Sequence, residues 1–124
     1  MHLLIDTHAL VWLAAGDPRM SKIVLAMLGE AATVPLVSAV TAWEYTDLHS
    51  RGRFPSGIAL GAILDRFALN VLDFPAETWQ RASGLPAIHR DPVDRMLIAH
   101  ALVAGHTLAT ADQTIHAYPV PTLW

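Results

Sequence analysis

Four short apolar runs recur along the chain, and a longer segment rich in helix-forming residues separates each run from the next. The runs occupy residues 3–5, 33–37, 70–72 and 107–110, and their lengths are typical of strands buried in a sheet. Strands joined through helices pair in parallel, because a parallel connection needs a long crossover. Right-handed crossovers place helices on both faces. The pattern predicts an α/β fold, a three-layer α/β/α sandwich with a mostly parallel central sheet of four to five strands.

Capping residues and helix breakers mark the ends of the intervening helices. Ser21 and Ser56 fit N-caps, Pro75 fits a first helical turn, and Gly105 fits a C-cap. The proline-flanked residues 120–123 fit a last edge strand. Helices are predicted over 8–15, 21–28, 38–52, 56–67, 75–84 and 91–105.

The size of the chain favours one compact domain over residues 1–124. With 124 residues, 53% of them hydrophobic, the chain is too short for two full domains and long enough to hold a core without disulfides. Its N-terminal stretch is apolar, but Asp6, His8 and Asp17 interrupt it and no basic segment precedes it. It therefore resembles neither a signal peptide nor a membrane span, and we expect a cytoplasmic protein that does not enter a membrane.

Acidic residues follow the predicted strands or open the predicted helices. Asp6 comes directly after the first strand, Asp112 follows the fourth, and Glu44 lies in the helix after the second. Asp91 and Asp94 open the helix that precedes the fourth strand. Ligands of open α/β sheets bind beyond the carboxyl ends of the strands. We therefore expect these five of the eleven acidic residues to gather at one site.

Gathered carboxylates repel one another, and a bound cation offsets that repulsion. Hard divalent ions such as Mg²⁺ or Mn²⁺ prefer oxygen ligands, and the chain has no cysteine to compete. The absence of cysteine also excludes thiol redox chemistry. The histidines show no HxxxH or HExxH spacing, which disfavours zinc. Carboxylate-bound Mg²⁺ or Mn²⁺ activates water and acts on phosphodiesters.

Each acidic residue also has a structural interpretation. Glu44 completes a capping box that begins at Thr41, Asp94 suits the positive end of a helix, and Asp112 suits the N-cap of a short last helix. Asp6 is the strongest candidate, because a carboxylate directly after a buried strand is partly desolvated and needs a partner. His89 and the arginine after it fit either a phosphate contact or a structural role in their loop.

The charge of the chain excludes a broad basic surface for nucleic acid. The net charge is -3, and Lys22 and seven arginines are the only Lys and Arg side chains. A protein that holds nucleic acid through its phosphates presents clustered Lys and Arg. Any polyanion must be met locally here, or through bound cations.

Four sequence blocks together resemble the PIN-domain ribonucleases of the VapC toxin type. No single block is decisive, but the blocks occur in the family order and span nearly the whole chain. They read LIDTH at 4–8, SAVTAWE at 38–44, HRDPVDRMLIA at 89–99 and TLATAD at 107–112.

The resemblance implies endonucleolytic cleavage of RNA with Mg²⁺ or Mn²⁺ in an acidic pocket, by a toxin that inhibits translation. By position, Asp6, Glu44 and Asp94 match the family's three core acids, and Asp112 matches a fourth, more variable one. These four are the predicted catalytic and metal-binding residues. Residues predicted to play auxiliary roles beside them are Thr7, Asp91, Thr110 and Arg95.

The resemblance also implies two protein partners. One is a cognate antitoxin that covers or enters the acidic pocket, and the other is a second copy of the chain. In such a homodimer the two pockets line one groove, which would pool the scarce arginines, among them Arg51, Arg53, Arg90 and Arg95. The resemblance therefore predicts three partners for the chain: the RNA substrate, a cognate antitoxin and a second copy of the chain.

The turn after Glu44 departs from the family pattern. Relatives often carry an aliphatic residue, an alanine and then a lysine there, whereas Tyr45, Thr46 and Asp47 follow here. The missing lysine removes a possible phosphate contact, and Asp47 adds an acid one turn beyond Glu44. The departure bears on substrate positioning and leaves the predicted acid cluster unchanged.

Three other functions are compatible with parts of the pattern. A phosphoacceptor receiver domain is also small, α/β and acidic at strand ends, but it needs a lysine after a late strand, and Lys22 lies too early. A PIN-like domain without catalysis would bind a partner only. Metal-dependent cleavage of DNA or of phosphomonoesters also stays open, because a carboxylate-bound metal does not by itself distinguish ribose from deoxyribose.

Overall fold

A five-stranded parallel sheet forms the centre of the computed structural model, which describes residues 1–54 and 57–124. The strand order is β3-β2-β1-β4-β5, and every neighbouring pair is parallel. This confirms the predicted parallel α/β architecture. The strands are β1 (His2–Ile5), β2 (Val34–Ser38), β3 (Asn70–Leu72), β4 (Thr107–Ala109) and β5 (Thr122–Leu123).

Two hydrophobic cores cover the two faces of this sheet, because side chains alternate along each strand. Leu3 and Ile5 of β1 belong to one core, and Leu4 between them belongs to the other. The first core holds α1 to α4, and the second holds α5 to α7. The helices are α1 (Thr7–Ala15), α2 (Lys22–Leu28), α3 (Ala39–Ser50), α4 (Leu60–Arg66), α5 (Thr78–Ser83), α6 (Pro92–Ala104) and α7 (Gln113–His116).

The carboxyl ends of the central strands are held in register by the sheet. Ile5 pairs with Ala109, and the backbone N–H of Asp6 donates to the Ala109 carbonyl at 3.1 Å. β1 also pairs with β2, which ends at Ser38. The residues that follow β1, β2 and β4 therefore emerge at one edge of the sheet, where the sequence places its acids.

Glycine ends two of the helices, α1 and α6. Gly16 follows α1 with φ 63°, and Gly105 follows α6 with φ 70°. This left-handed conformation carries no steric cost for glycine and lets the next residue leave the helix axis. No helix in the described part of the chain is both long and apolar enough to cross a membrane.

Two helix starts differ from the sequence prediction. α5 begins at Thr78 rather than near Pro75, whose carbonyl accepts the first-turn N–H of Thr78 at 3.0 Å. α4 begins at Leu60 without a side-chain cap. The predicted cap at Ser56 lies outside the described residues.

Candidate functional site

Asp6 lies directly beyond the central strand and is 4% exposed. Its Oδ1 accepts the backbone N–H of Ala9 at 2.7 Å, so the side chain also caps α1. The Thr110 hydroxyl, beyond β4, forms a second hydrogen bond to it. Asp6 is therefore fixed in a buried position by groups from two elements.

Asp94 and Asp112 meet at the ring of His89. Nε2 of His89 lies 3.1 Å from Oδ2 of Asp94 and 2.8 Å from Oδ2 of Asp112. Their ligating atoms all lie within 4.8 Å of one another, which suits a metal ion. Asp94 comes from the first turn of α6, and Asp112 caps α7 through the N–H of Thr114. Three chain segments thus converge on one point.

Glu44 faces Asp94 across a cleft of about 360 Å³. Thr7, Asp91 and Arg53 also line this cleft. A second depression is lined by Asp6 and Asp112, and His8 borders both depressions. All four predicted core acids therefore lie at the carboxyl edge of the sheet.

The pKa of Asp94 shows the electrostatic cost of this arrangement. Burial is the main cause that raises the pKa to about 6, and the charges of Asp91, Asp6 and Glu44 add to it. His89 acts in the opposite direction. At neutral pH Asp94 is still mostly ionised, but its charge is held at an electrostatic cost that a bound cation would relieve.

The pKa values of Asp6 and Asp112 are shifted in opposite directions at this edge of the sheet. Burial raises the pKa of Asp6 above its ordinary value, although the hydrogen bonds from Thr110 and Ala9 act against the rise. Desolvation also pushes the pKa of Asp112 up, but hydrogen bonds from His89 and Thr114 together outweigh it, and its pKa is lowered. The two acids therefore differ in how strongly they favour ionisation.

The capping interpretation of Glu44 is wrong. Ser38, at the end of β2, is the N-cap of α3, and its hydroxyl accepts the Val40 N–H at 3.2 Å. Thr41 lies inside the helix, where its hydroxyl is buried and has no hydrogen-bond partner among the described residues. The end of β2 sets where α3 begins, which is three residues before the predicted capping box at Thr41. Glu44 is thus not part of a helix cap and faces the cleft.

The N-cap interpretation of Asp112 is confirmed, and Asp91 caps as well. Oδ1 of Asp91 accepts the Val93 N–H at 2.8 Å and opens α6. Asp112 combines its cap with the contact to His89. A structural role and a place in the cluster are therefore not exclusive.

Arg95 does not join the acids, contrary to its predicted auxiliary role. Its guanidinium donates to the carbonyls of Pro86, Ala82 and Leu85 at 2.8 to 3.1 Å. A longer contact of 3.3 Å reaches Tyr118 Oη. These bonds occupy the N–H groups of the two terminal nitrogens of the guanidinium. Arg95 holds the loop between α5 and α6.

Tyr118 holds the part of that loop that carries His89. Its Oη accepts the His89 N–H at 2.7 Å and the Ile88 N–H at 3.2 Å, and it donates to the Pro86 carbonyl at 2.7 Å. No local sequence pattern marks this residue, because its partners lie about 30 positions away. The contact positions His89 between Asp94 and Asp112.

Replacing Tyr118 with Phe is expected to lower the free energy of unfolding by about 1 kcal/mol, because the loop N–H groups lose their acceptor. The measurement is urea unfolding of wild type and variant. His116→Ala is the comparison variant outside this loop, because in the described part of the chain the ring of His116 contacts the Thr110 carbonyl through Nε2 and the Thr122 hydroxyl through Nδ1. Equal stability of Tyr118→Phe and wild type would contradict the role assigned to the phenol.

The arginines predicted for the groove separate into different environments. Arg51 pairs with Asp47 at 3.2 Å on the exposed side of α3, so Asp47 does not extend the acid cluster. Arg53 lines the acidic cleft, whereas Arg90 lies beside Trp79 in a separate depression. Arg53 is thus the arginine of the four that borders the acids.

His89 is the member of the site that spacing rules missed. An HxxxH pattern marks two histidines on one helix, but the partners of His89 come from α6 and from the N-cap of α7. Its position just before the helix-opening aspartate was the available signal. The predicted alternative of a structural role in the loop matches its observed contacts with Tyr118 and Asp112.

A family model described as the PIN domain matches residues 3–120. The chain belongs to the PIN domain family. A search of the curated proteins finds no match to this PIN-domain chain.

Solved structures share the fold at low sequence identity. VapBC2 from Rickettsia felis, bound to a DNA fragment from its promoter, is 18% identical, with a TM-score of 0.78 over 99% of this chain and 98% of that chain. FitAcB from Neisseria gonorrhoeae is 20% identical, with a TM-score of 0.70 over 98% and 96%. Mycobacterium tuberculosis VapC20, a Sarcin-Ricin loop cleaving toxin, is 19% identical, with a TM-score of 0.69 over 95% of each chain.

The acids of this PIN domain fit a hard divalent cation. The site offers carboxylate oxygens from Asp94, Asp112 and Glu44, and the buried Asp6 lines a depression together with Asp112. Carboxylates are the donors that Mg²⁺ and Mn²⁺ prefer. The raised pKa of Asp94 means that a positive charge placed here would relieve repulsion. The donor set therefore matches the chemistry of the ion.

Proposed function

We propose that this PIN domain is a divalent-metal-dependent endoribonuclease that acts as the toxin of a toxin–antitoxin pair and inhibits translation. The observation that carries the proposal is the convergence of Asp94 and Asp112 on the ring of His89, with Glu44 lining the same cleft as Asp94. Membership of the PIN family and the fold shared with a Sarcin-Ricin loop cleaving toxin support it.

The residues that would hold Mg²⁺ or Mn²⁺ are Asp6, Glu44, Asp94 and Asp112. When bound, the ion supplies an activated water and offsets negative charge on the phosphate. The hydroxyl of Thr110 holds the carboxylate of Asp6 in place, and Thr7 lines the cleft beside it. Asp91 contributes by opening α6, which sets the position of Asp94.

The substrate enters through the cleft that Arg53 borders. Arg53 is exposed, and no other arginine lines the described part of this cleft. A guanidinium there can bind an RNA phosphate beside the acids and replace the lysine that this chain lacks after Glu44. This single local contact agrees with a net charge of -3, since the chain has no broad basic surface.

The partners that we propose are a cognate antitoxin, a second copy of the chain and RNA. The fold neighbours include VapBC2, whose structure holds a promoter DNA fragment, and FitAcB. By analogy, an antitoxin covers the acidic cleft of this chain, and a homodimer brings two clefts together in the cytoplasm.

The proposal is tested by incubating the purified protein with structured RNAs and millimolar Mg²⁺ or Mn²⁺. We expect a few discrete cleavage products that a chelator abolishes. DNA of the same sequence and a phosphomonoester are the comparison substrates. Cleavage of those alone would indicate a DNA nuclease or a phosphatase, and intact RNA under every condition would favour a partner-binding domain without catalysis.

A further inference from the structure

The side chain of His89 lies where the carboxylates of Asp94 and Asp112 converge. Nε2 is within hydrogen-bond distance of one oxygen of each, and the ring is 14% exposed. The ring nitrogen and the two carboxylates lie close enough together to share one cation. The ring must therefore either bind that cation or give way to it.

The other ring nitrogen decides between these two possibilities. The backbone N–H of Asp91 lies 3.1 Å from Nδ1 of His89 with hydrogen-bond geometry. A backbone N–H only donates, so Nδ1 accepts and carries no proton. In the neutral imidazole the proton is then on Nε2. Nε2 donates to the two carboxylates and offers no lone pair in their direction.

The surrounding loop holds this arrangement in place. The N–H of His89 donates to Tyr118 Oη, and the side chain of Asp91 caps α6 two residues later. Ligation through Nε2 would require the proton to move to Nδ1, and the bond from the Asp91 N–H would be lost. The geometry of the loop favours the donor form of the ring.

We propose that His89 is a competitor of the divalent ion rather than a ligand. Its Nε2–H links Asp94 to Asp112, and a cation reaches those oxygens only after the ring has been displaced. This inference rests on the proposed metal-dependent function and goes beyond it, because it assigns to His89 a role that weakens metal binding.

Removal of the ring is therefore expected to strengthen metal binding. In His89→Ala the two carboxylates lose their shared donor and repel each other more, and a cation no longer has to displace a hydrogen bond. We expect the Kd for Mn²⁺ to fall about tenfold, equivalent to about 1.4 kcal/mol. If His89 were instead a metal ligand, its removal would raise the Kd for Mn²⁺.

The test is isothermal titration of the chelator-treated chain with MnCl2. The proteins are wild type, His89→Ala and the control His106→Ala, which removes an imidazole that stacks on His2 at the opposite edge of the sheet. Tighter binding in His89→Ala with an unchanged control supports the proposal. Weaker or unchanged binding in His89→Ala overturns it.

A spectroscopic measurement on wild type keeps the proposal testable should His89→Ala fail to fold. Pulsed electron paramagnetic resonance of bound Mn²⁺ detects a directly coordinated imidazole nitrogen. We expect no such signal from wild type, and a nitrogen coupling that disappears in His89→Gln overturns the proposal. If no protein binds Mn²⁺, both the metal site and this inference fail. Metal binding of the expected pattern without RNA cleavage would instead refute only the proposed nuclease activity.

Discussion

Replacing Asp6 with Asn is expected to slow RNA cleavage by about 10²- to 10³-fold. The side chain is buried, and its Oδ1 caps α1 by accepting the Ala9 N–H. Asparagine keeps an oxygen for that cap and is itself a favoured N-cap residue. The substitution therefore removes the negative charge and leaves the fold in place. The measurement is the initial rate of cleavage at saturating Mn²⁺, together with a thermal unfolding curve.

Asp47→Asn is the matched control for the loss of one carboxylate. Asp47 pairs with Arg51 on the exposed side of α3 and does not face the cleft. Surface ion pairs of this kind contribute little to stability, so cleavage and unfolding should both match wild type. A wild-type cleavage rate in Asp6→Asn would remove Asp6 from the catalytic set.

Replacing Asp94 with Asn is expected to raise the free energy of unfolding by about 2 kcal/mol at pH 7 in chelator. The pKa of this carboxyl is raised from 3.8 to about 6, so the folded state binds its proton more tightly than the unfolded state does. Ionisation of the buried group opposes folding, and partial solvent contact moderates the effect. Asparagine has no charge to bury, and its oxygen still accepts from His89.

The same shift predicts how wild-type stability depends on pH. Between about pH 4 and pH 6 the folded chain holds more protons at Asp94 than the unfolded chain, so this carboxyl's contribution to stability falls as pH rises. Asp94→Asn should lack that fall. Urea unfolding from pH 4 to 7 measures both curves, with Asp65→Asn, an exposed acid of α4, as control. Parallel curves for wild type and Asp94→Asn would show that Asp94 carries no such cost.

The strands of the sheet could be predicted because strands that are buried on both faces consist of apolar residues. Strands covered on both faces are continuous apolar runs, and all the predicted runs overlap β1 to β5. Parallel pairing followed from the helices between them. The strand order with β1 at the centre did not follow, because it depends on which way each crossover turns.

Local motifs were less reliable where a tertiary constraint competed with them. The capping box predicted at Thr41 does not form; Ser38 caps α3 instead, because β2 remains paired with β3 as far as Ser38. Arg95 was expected beside the acids from its place in a motif. The carbonyls of the folded loop, which no local pattern shows, instead bind its guanidinium.

The acids of the site were predictable, and their connection through His89 was not. Acids at strand ends reach one edge in any parallel sheet, so Asp6 and Asp112 could be placed by topology alone. The distances of His89 to Asp94 and Asp112 depend on a loop that Tyr118 fixes from a remote position. Such contacts leave no periodic signal in the sequence.

The most direct test of the account is thermal unfolding of chelator-treated protein with and without millimolar Mn²⁺, for wild type and Asp94→Asn. An ion that binds the folded state alone stabilises it by about 2.7 kcal/mol at 100 times its Kd. We expect a higher unfolding midpoint for wild type in Mn²⁺ and no such rise in Asp94→Asn. The same rise in both proteins, or a rise in neither, would contradict a metal site built on these carboxylates.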